Sequence, residues 1–467
     1  VPDPNKRAAL IVATLSAFLV PFMGSSINIA LPTIGKEFSA DALLLGWVAT
    51  AYLLGSVVFL VPFGKAADIY GRKRIFSYGI SLYTFSSLLC AFAASVPQLL
   101  FFRALQGIGS SMIYGTNIAI LISVFPLKER GKVLGINVAS TYLGLSLGPI
   151  VGGLLTQYLG WRSLFLINIP FGLLAIFLVF RKLKGEWAEA KGEKLDLTGS
   201  LILSMAIALL TLGLSTNLWL SLTGAAGIFL FIWWEKKVEN PVLKISLFTG
   251  NRVFAFSNLA ALINYSATFA VGFLLSLYLQ YIKGLDPQSA GMILVAQPIV
   301  MAAFSPAAGR LADRIDPKIL ASSGMGIVSA GLLLLIFLNA QTALGFIILS
   351  LMIIGLGLAL FSSPNTYAIM SSVEKIFYGV ASATLSTMRL LGQLLSMGLV
   401  MLVLSVNVGK VQITPAYHHP FLLSVKSSFV VFMVLCFCGI FASLARGKSN
   451  KKEEPGDTEK ESPLPLQ

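Results

Sequence analysis

Residues 63–74 read FGKAADIYGRKR and residues 308–319 read AGRLADRIDPKI. Gly64 and Gly309 open the two copies, and Asp68 and Asp313 each follow four residues later. Each Gly stands about 55 residues into a train of apolar runs, one train starting near residue 9 and the other near 253. Self-similarity at so long a period, in the same chain direction, marks a parallel repeat of equivalent helices. The spacing predicts two six-helix halves with an insertion between them.

The runs on either side fill out that plan. A helix needs about 20 apolar residues to cross the hydrocarbon core of a bilayer. Suitable runs fall at 9–31, 44–63, 75–95, 98–124, 133–157 and 161–181, then 198–215 and 218–234. Six more follow at 253–282, 288–308, 319–339, 342–363, 377–406 and 424–445. The expected fold class is therefore an all-α polytopic membrane protein with fourteen transmembrane helices. Its parts are a six-helix bundle over 1–181, an inserted two-helix segment with its loops over 182–252, and a second bundle over 253–445. The tail 446–467 is polar and lacks the apolar content to fold; its Lys448, Lys451 and Lys452 suit anionic lipid headgroups. The first run carries Ser25, Ser26 and Asn28 and ends in no cleavage-type site, so it reads as a span rather than a signal peptide.

Composition and charge placement agree. Charged residues are 12% of the chain and hydrophobic residues 56%, against about 25% charged in soluble domains. The net charge of +14 raises the question of nucleic acid. Its placement answers it, because Lys and Arg cluster in short loops at 65–74, 128–132, 181–194 and 446–452. With the N-terminus in the cytoplasm, the external side holds only Lys36, Arg162, Lys283, Lys410 and Lys426, as the positive-inside bias requires. Both termini are then cytoplasmic, and the absence of an organelle-targeting segment suits a cell (inner) membrane of prokaryotic type.

No enzyme chemistry is written in the chain. There is no phosphate-binding loop, no nucleophile–base pair and no metal-ligand spacing. Cys90, Cys436 and Cys438 lie inside apolar runs and read as small filler, and His418 and His419 sit beside Pro420 without further ligands. No cofactor or metal is expected, and a single bundle pair can enclose its own pathway as a monomer.

Several motifs carry chemistry that packing alone leaves unexplained. In the loop after the second run, Gly64 and Gly71 permit tight turns, Asp68 can cap the following helix, and Arg72 and Lys73 hold the loop on the basic side. The second copy is less complete, with Gly309, Asp313 and Arg314 followed by Asp316-Pro317. Arg103 and Gln106 lie deep in the fourth run, where a cation is costly. Residues 144–153 read GLSLGPIVGG; Gly144, Gly148, Gly152 and Gly153 let helices approach closely and Pro149 bends the helix. Arg389 lies about 18 Å along its helix from the inner end, too deep to reach water by a lipid-facing path.

In this order, with Trp161-Arg162 and Asn168-Ile169-Pro170 after the glycine motif, the chain resembles the 14-span drug:proton antiporter branch of the major facilitator superfamily. Tyr278-Leu279-Gln280, Pro364-Asn365 and Gly379 extend the likeness, which covers about residues 9–445. It implies a multidrug-efflux transporter working by alternating access, with the 63–74 loop latching the cytoplasmic face, Arg103 and Arg389 near the coupling machinery, and 144–153 as the exporter motif. One departure matters. That branch carries an Asp five residues before the Asn of Asn-x-Ala-Leu-Pro; here the Asn is Asn28 and the position holds Met23. A thioether carries no proton, and all other carboxylates fall in loops or at span ends. Protons are therefore partners only if another group supplies the coupling, such as Asp68 or the substrate itself. Uncoupled facilitation, nutrient uptake and a non-transporting sensor stay open beside export. The unpaired arginines favour neutral or anionic amphiphiles. Candidate cavity residues are Ser25, Ser26, Asn28, Tyr52, Tyr114, Asn117, Asn137, Thr141, Tyr142, Asn264, Tyr265, Gln280 and Gln297.

Overall fold

A computed structural model describes residues 4–243, 245–312, 314–374 and 378–447. Asp313 and most of the tail, 448–467, fall outside that set. Among the described residues there is no strand. The first half holds α1 (Pro4–Phe38), α2 (Ala42–Tyr70), α3 (Arg72–Ala91), α4 (Val96–Val124), α5 (Leu127–Leu159) and a run divided into α6 (Ser163–Leu166) and α7 (Asn168–Arg181). A hairpin of α8 (Leu197–Thr216) and α9 (Leu218–Glu235) follows, then the short α10 (Ser246–Gly250). The second half holds α11 (Arg252–Thr268), α12 (Val271–Leu277) with a π turn at Tyr278–Ile282, α13 (Pro287–Leu294) and α14 (Ala296–Ala312). It continues with α15 (Pro317–Ile336), α16 (Leu344–Ser371), α17 (Tyr378–Asn407) and α18 (His418–Leu444).

Among the described residues, twelve helical stretches are long and apolar enough to cross a membrane. Two of the fourteen expected runs miss that standard for separate reasons. The third, α3, opens on Arg72-Lys73-Arg74 and is dotted with Ser and Tyr; α9 has a shorter apolar stretch, Trp219–Glu235. Three of the long apolar runs are divided into shorter helices. The break between α13 and α14 falls at Val295, because the ring of Pro298 displaces the carbonyl four residues earlier. At the break between α11 and α12, the freed Ala270 N–H donates to Ser396 Oγ of α17 at 3.1 Å.

The repeat seen in the sequence returns as packing. In the first half α1 lies along α5, α2 along α4 and α3 along α4; in the second, α11 lies along α17, α14 along α16 and α15 along α16. The two ends of the described chain share one face with the Lys- and Arg-rich loops. There Lys6 pairs with Glu129 at 2.9 Å, Lys184 N–H donates to Asn5 Oδ1 at 2.8 Å, and Arg252 Nε donates to the Ala445 carbonyl at 2.9 Å. We term it the basic face. On the opposite face Arg162 pairs with Glu37 at 2.7 Å.

The halves close on one another at the opposite face. Ser276 Oγ donates to the Asn28 carbonyl at 2.7 Å, Gln280 Nε2 to the Ile29 carbonyl at 3.0 Å, and Tyr158 Oη to Gln288 Oε1 at 3.1 Å. Beyond Tyr142, at mid-membrane, no hydrogen bond or ion pair among the described residues joins the halves toward the basic face. This is a state shut at the opposite face and open to the basic one.

The glycine motif of α5 makes that closure possible. A Cβ on Gly144 would strike the Phe18 carbonyl of α1, one on Gly148 the Ser25 side chain, and one on Gly152 the Ser26 Cβ at 2.9 Å. The other flank faces the second half: a Cβ on Gly153 would meet the Pro287 carbonyl at 2.6 Å, and one on Gly291 of α13 the Pro149 carbonyl. In hydrocarbon, where apolar burial gives no net drive between helices, such backbone approach is what holds them together. Gly144→Ala should therefore destabilise the protein by about 1–3 kcal/mol through overpacking. Gly135→Ala, at a position with nothing within 4 Å, should be neutral or gain up to about 1 kcal/mol of helix propensity. Unfolding of the purified variants in detergent measures both; equal effects would refute the close-approach reading.

Candidate functional site

The central site is built around Arg389. α17 carries it to mid-membrane, where its side chain is half-buried between the halves. One guanidinium nitrogen donates to Thr366 Oγ1 of α16 at 3.0 Å, and the cation lies 5.6 Å from the ring centre of Tyr265 on α11. Arg389 Nε has no hydrogen-bond partner. Tyr114 of α4 and Tyr142 of α5 face it from the first half, close enough to feel its charge. Tyr142 Oη meets Ser362 Oγ of α16 at 3.4 Å. The buried Asn365 Oδ1, between Ser362 and Thr366 in sequence, has no partner, and neither amide atom of Asn264 on α11 has one. A cation and three phenol rings therefore converge where the halves meet. Aromatic faces take flat apolar bodies, and the guanidinium takes an anionic or carbonyl oxygen.

Of the expected cavity residues, Tyr114, Tyr142, Tyr265 and Asn264 are brought to this region. Others are committed elsewhere. Ser26 Oγ bonds back to the Phe22 carbonyl at 2.5 Å and Ser25 Oγ to the Pro21 carbonyl at 3.0 Å, both against the α5 glycines. Asn28 and Gln280 belong to the seam at the opposite face. Asn117 and Asn137 both donate to the Ala13 carbonyl at 3.1 Å and to their neighbours, knitting α1, α4 and α5, while Thr141 bonds to the Asn137 carbonyl at 3.3 Å. Tyr52 donates to Ser110 Oγ at 2.8 Å in the first half's interior. The Gln297 carbonyl packs against Gly355, and its side chain is half-buried. Thr366 and Ser362 were not anticipated. Their four-residue spacing around Pro364-Asn365 was the available signal, since it puts both hydroxyls on one helix face.

Arg103 meets a different fate from Arg389. It is 1% exposed, donates from Nε to the Val48 carbonyl at 3.1 Å and from a terminal nitrogen to Gln106 Oε1 at 2.6 Å. Gln106 passes the contact on to Ser87 Oγ at 2.7 Å. The guanidinium also lies 4.5 Å from the Tyr52 ring centre and 5.9 Å from that of Phe165. Carbonyl, amide and π faces thus replace water around the charge, and α2, α3, α4 and α6 are tied together by it. Met23 is fully buried, its sulfur 3.4 Å from Asn168 Nδ2 on α7.

Residues 63–70 end α2 and Arg72 opens α3, so Gly64 makes no turn, contrary to the sequence expectation, and the 63–74 segment is latched within its own half. Gly71, at φ +118°, is the single residue between α2 and α3, and a Cβ there would strike the Glu186 carboxylate. Asp68 does not cap α3, contrary to the sequence expectation: its carboxylate accepts from Arg72 Nε at 3.0 Å and a terminal nitrogen at 2.8 Å. Arg72 also donates to Ser123 Oγ at 2.8 Å and to Glu189 at 2.7 Å. The α3 N-terminus is capped by Glu186, which accepts from Lys73 N–H at 2.8 Å and Arg74 N–H at 3.2 Å. Glu186 and Glu189 come from the loop after α7, so a remote segment completes the latch. Gly64 packs against Gly115 of α4. In the second copy Gly309 lies in α14, Arg314 is exposed, and Asp316 caps α15 by accepting from Lys318 N–H at 2.9 Å; Asp313 is outside the described residues.

Known proteins fit this geometry. The profile of the Major Facilitator Superfamily matches residues 13–256 and again residues 257–467. The chain is 30% identical to the riboflavin transporter RibZ of Clostridioides difficile (strain 630) over 94% of this chain and 97% of that protein. It is 31% identical to the multidrug resistance protein Stp of Mycobacterium tuberculosis (strain CDC 1551 / Oshkosh), over 82% and 73%. Among solved structures, a D-xylose–proton symporter aligns with TM-score 0.69 at 15% identity, covering 95% of this chain and 98% of that one. An inward-facing, occupied bacterial homologue of the lysosomal transporter Spinster aligns with TM-score 0.66 at 17% identity, covering 98% and 100%. The chain belongs to the Major Facilitator Superfamily, and its work is transport rather than catalysis.

Proposed function

We propose that this transporter has fourteen spans with both termini in the cytoplasm, and that it exports small amphipathic compounds of neutral or anionic charge by alternating access. The observation that carries the substrate reading is Arg389 among Tyr114, Tyr142 and Tyr265, a half-buried cation with no carboxylate partner among the described residues. A cationic drug would meet repulsion there; a flat neutral or anionic ring system would meet aromatic faces and a free N–H. Relatives named for riboflavin and for multidrug resistance make riboflavin and other planar heterocycles the first members of a substrate panel. Export is supported by the glycine motif, and the basic face is read as cytoplasmic from the charge bias of its loops. In this reading the domains are 1–181, 182–252, 253–445 and the tail 446–467, and a monomer is sufficient for the pathway.

A second reading, an uncoupled facilitator, has one observation in its favour. Met23 stands buried against Asn168 where a proton-carrying Asp would serve the antiporter branch.

Two experiments in proteoliposomes test these readings. Arg389→Gln should cut flux of an anionic amphiphile by about tenfold, the equivalent of about 1.4 kcal/mol, while a neutral analogue changes far less. Equal transport of both by the variant would refute the anion-facing site. Substrate-dependent proton movement, read with a pH-sensitive dye inside the vesicles, should survive Met23→Ala. Substrate flux with no proton movement in the wild type would leave the facilitator.

A further inference from the structure

The inserted hairpin carries two carboxyl groups that none of the roles above employs. Glu235 follows the last apolar residue of α9 at the basic face and is only 4% exposed. Its Oε2 accepts from Leu243 N–H at 3.0 Å, while its Oε1, shut off from solvent, has no hydrogen-bond partner. Asp196, the residue before α8, accepts from Gly199 N–H at 2.9 Å on Oδ1 and from the Trp234 indole N–H at 2.9 Å on Oδ2. Both carboxyls crowd the place where Gly199 would carry a Cβ: Asp196 Oδ2 touches it, and Glu235 Oε1 lies 2.7 Å from it. The unpaired oxygen of Glu235 therefore faces Asp196 across a glycine that leaves room for nothing larger than hydrogen.

Among the described residues no cation forms an ion pair with Glu235 or Asp196. Lys65 faces Glu235 from α2, but its ammonium is ion-paired with Glu193 at 2.5 Å. Lys237, just past α9, lies over the Trp233 ring at 3.7 Å. A buried carboxylate held against a second, half-buried one repels it and forgoes hydration, and a single proton relieves both costs. A protonated Glu235 would donate its O–H to Asp196 and give the idle oxygen its missing partner.

We propose that Glu235 and Asp196 form a proton-binding site, two carboxyls holding one proton taken from the aqueous phase at the basic face. The hairpin is placed to make that proton matter. α8 touches the first half, where Ser204 Oγ donates to the Val58 carbonyl of α2 at 3.1 Å. It touches the second half where Leu214 packs on Gly398 of α17, its Cδ1 2.7 Å from the position of a Cβ there. Charge appearing or vanishing at the root of α8 thus acts on an element that spans both moving bodies. This coupling role rests on the transport reading above; the proton site itself does not.

The test is infrared difference spectroscopy of the full chain in nanodiscs, titrated from acid to alkaline pH. The wild type should show a protonated-carboxyl C=O band that disappears in Glu235→Gln and shifts in Asp196→Asn. Glu235→Gln keeps the shape of the protonated acid and should fold; should it fail to, the shift in Asp196→Asn decides. Identical titrations in wild type and both variants would overturn the proposal. So would uptake of Ca2+ or Mg2+ by the wild type with no such band, which would make the pair a cation site. In proteoliposomes Glu235→Gln should lose the pH dependence of flux while keeping substrate binding. A band without any flux would leave the site standing and refute the transport reading; flux with no band would do the converse.

Discussion

Everything in this molecule depends on how closely α5 can approach its neighbours on two sides at once. Inside a bilayer the lipid tails are as apolar as the side chains, so helices are not driven together by burial, and contact must come from fitted surfaces and backbone proximity. Gly144, Gly148 and Gly152 seat α5 on α1, while Gly153 and Pro149 seat it on α13 across the divide between the halves. The same helix is thus fixed within one body and applied to the other. Around it the second half repeats the first, α11 on α17 and α14 on α16, so the seam has a matching partner where α2 meets α17. Close backbone contact and hydrogen bonds join the halves at the opposite face, while no hydrogen bond or ion pair among the described residues joins them toward the basic one.

The two intramembrane arginines illustrate how context divides identical chemistry. Arg103 is sealed among the Val48 carbonyl, Gln106 and two aromatic faces, and its charge is spent on holding four helices. Arg389 keeps one N–H without a partner and stands half-buried among tyrosines from both halves. A cation that is already satisfied is structural; one that keeps an unpaired N–H where the halves meet has bonding left for a further partner. The sequence marks both as costly and cannot separate them, because the distinction lies in residues contributed by other helices.

That limit explains what could and could not be read from the chain alone. The paired motifs that open at Gly64 and Gly309, the apolar runs and the glycine spacing are local patterns, and helices stand where the apolar runs imply them. The cap on α3 is not local: it comes from Glu186, over a hundred residues away in sequence, and nearby Asp68 is drawn instead to Arg72. Which polar residues face the centre is likewise not local, because a polar residue in a helix has carbonyls, seams and cavities to choose among. Asn117 and Asn137 chose a carbonyl of α1, while Tyr114, Tyr142 and Tyr265 turned inward. The Glu235–Asp196 pair escaped notice because each acid sits at a span end, where a carboxylate is ordinary; only the fold brings them face to face.

Under the proposed alternating access, the seam of α5 with α13 and the open basic face are two ends of one rocking motion. Spin labels at Tyr158 and Gln288 would report the seam, and labels at Lys132 and Arg314 the basic face, with the three native cysteines replaced. Pulsed dipolar distances with and without a transported amphiphile measure the coupling most directly. The account predicts that the basic-face distance shortens as the seam distance lengthens, in the same fraction of molecules. Substrate binding that moves neither distance, or either one alone, would contradict it.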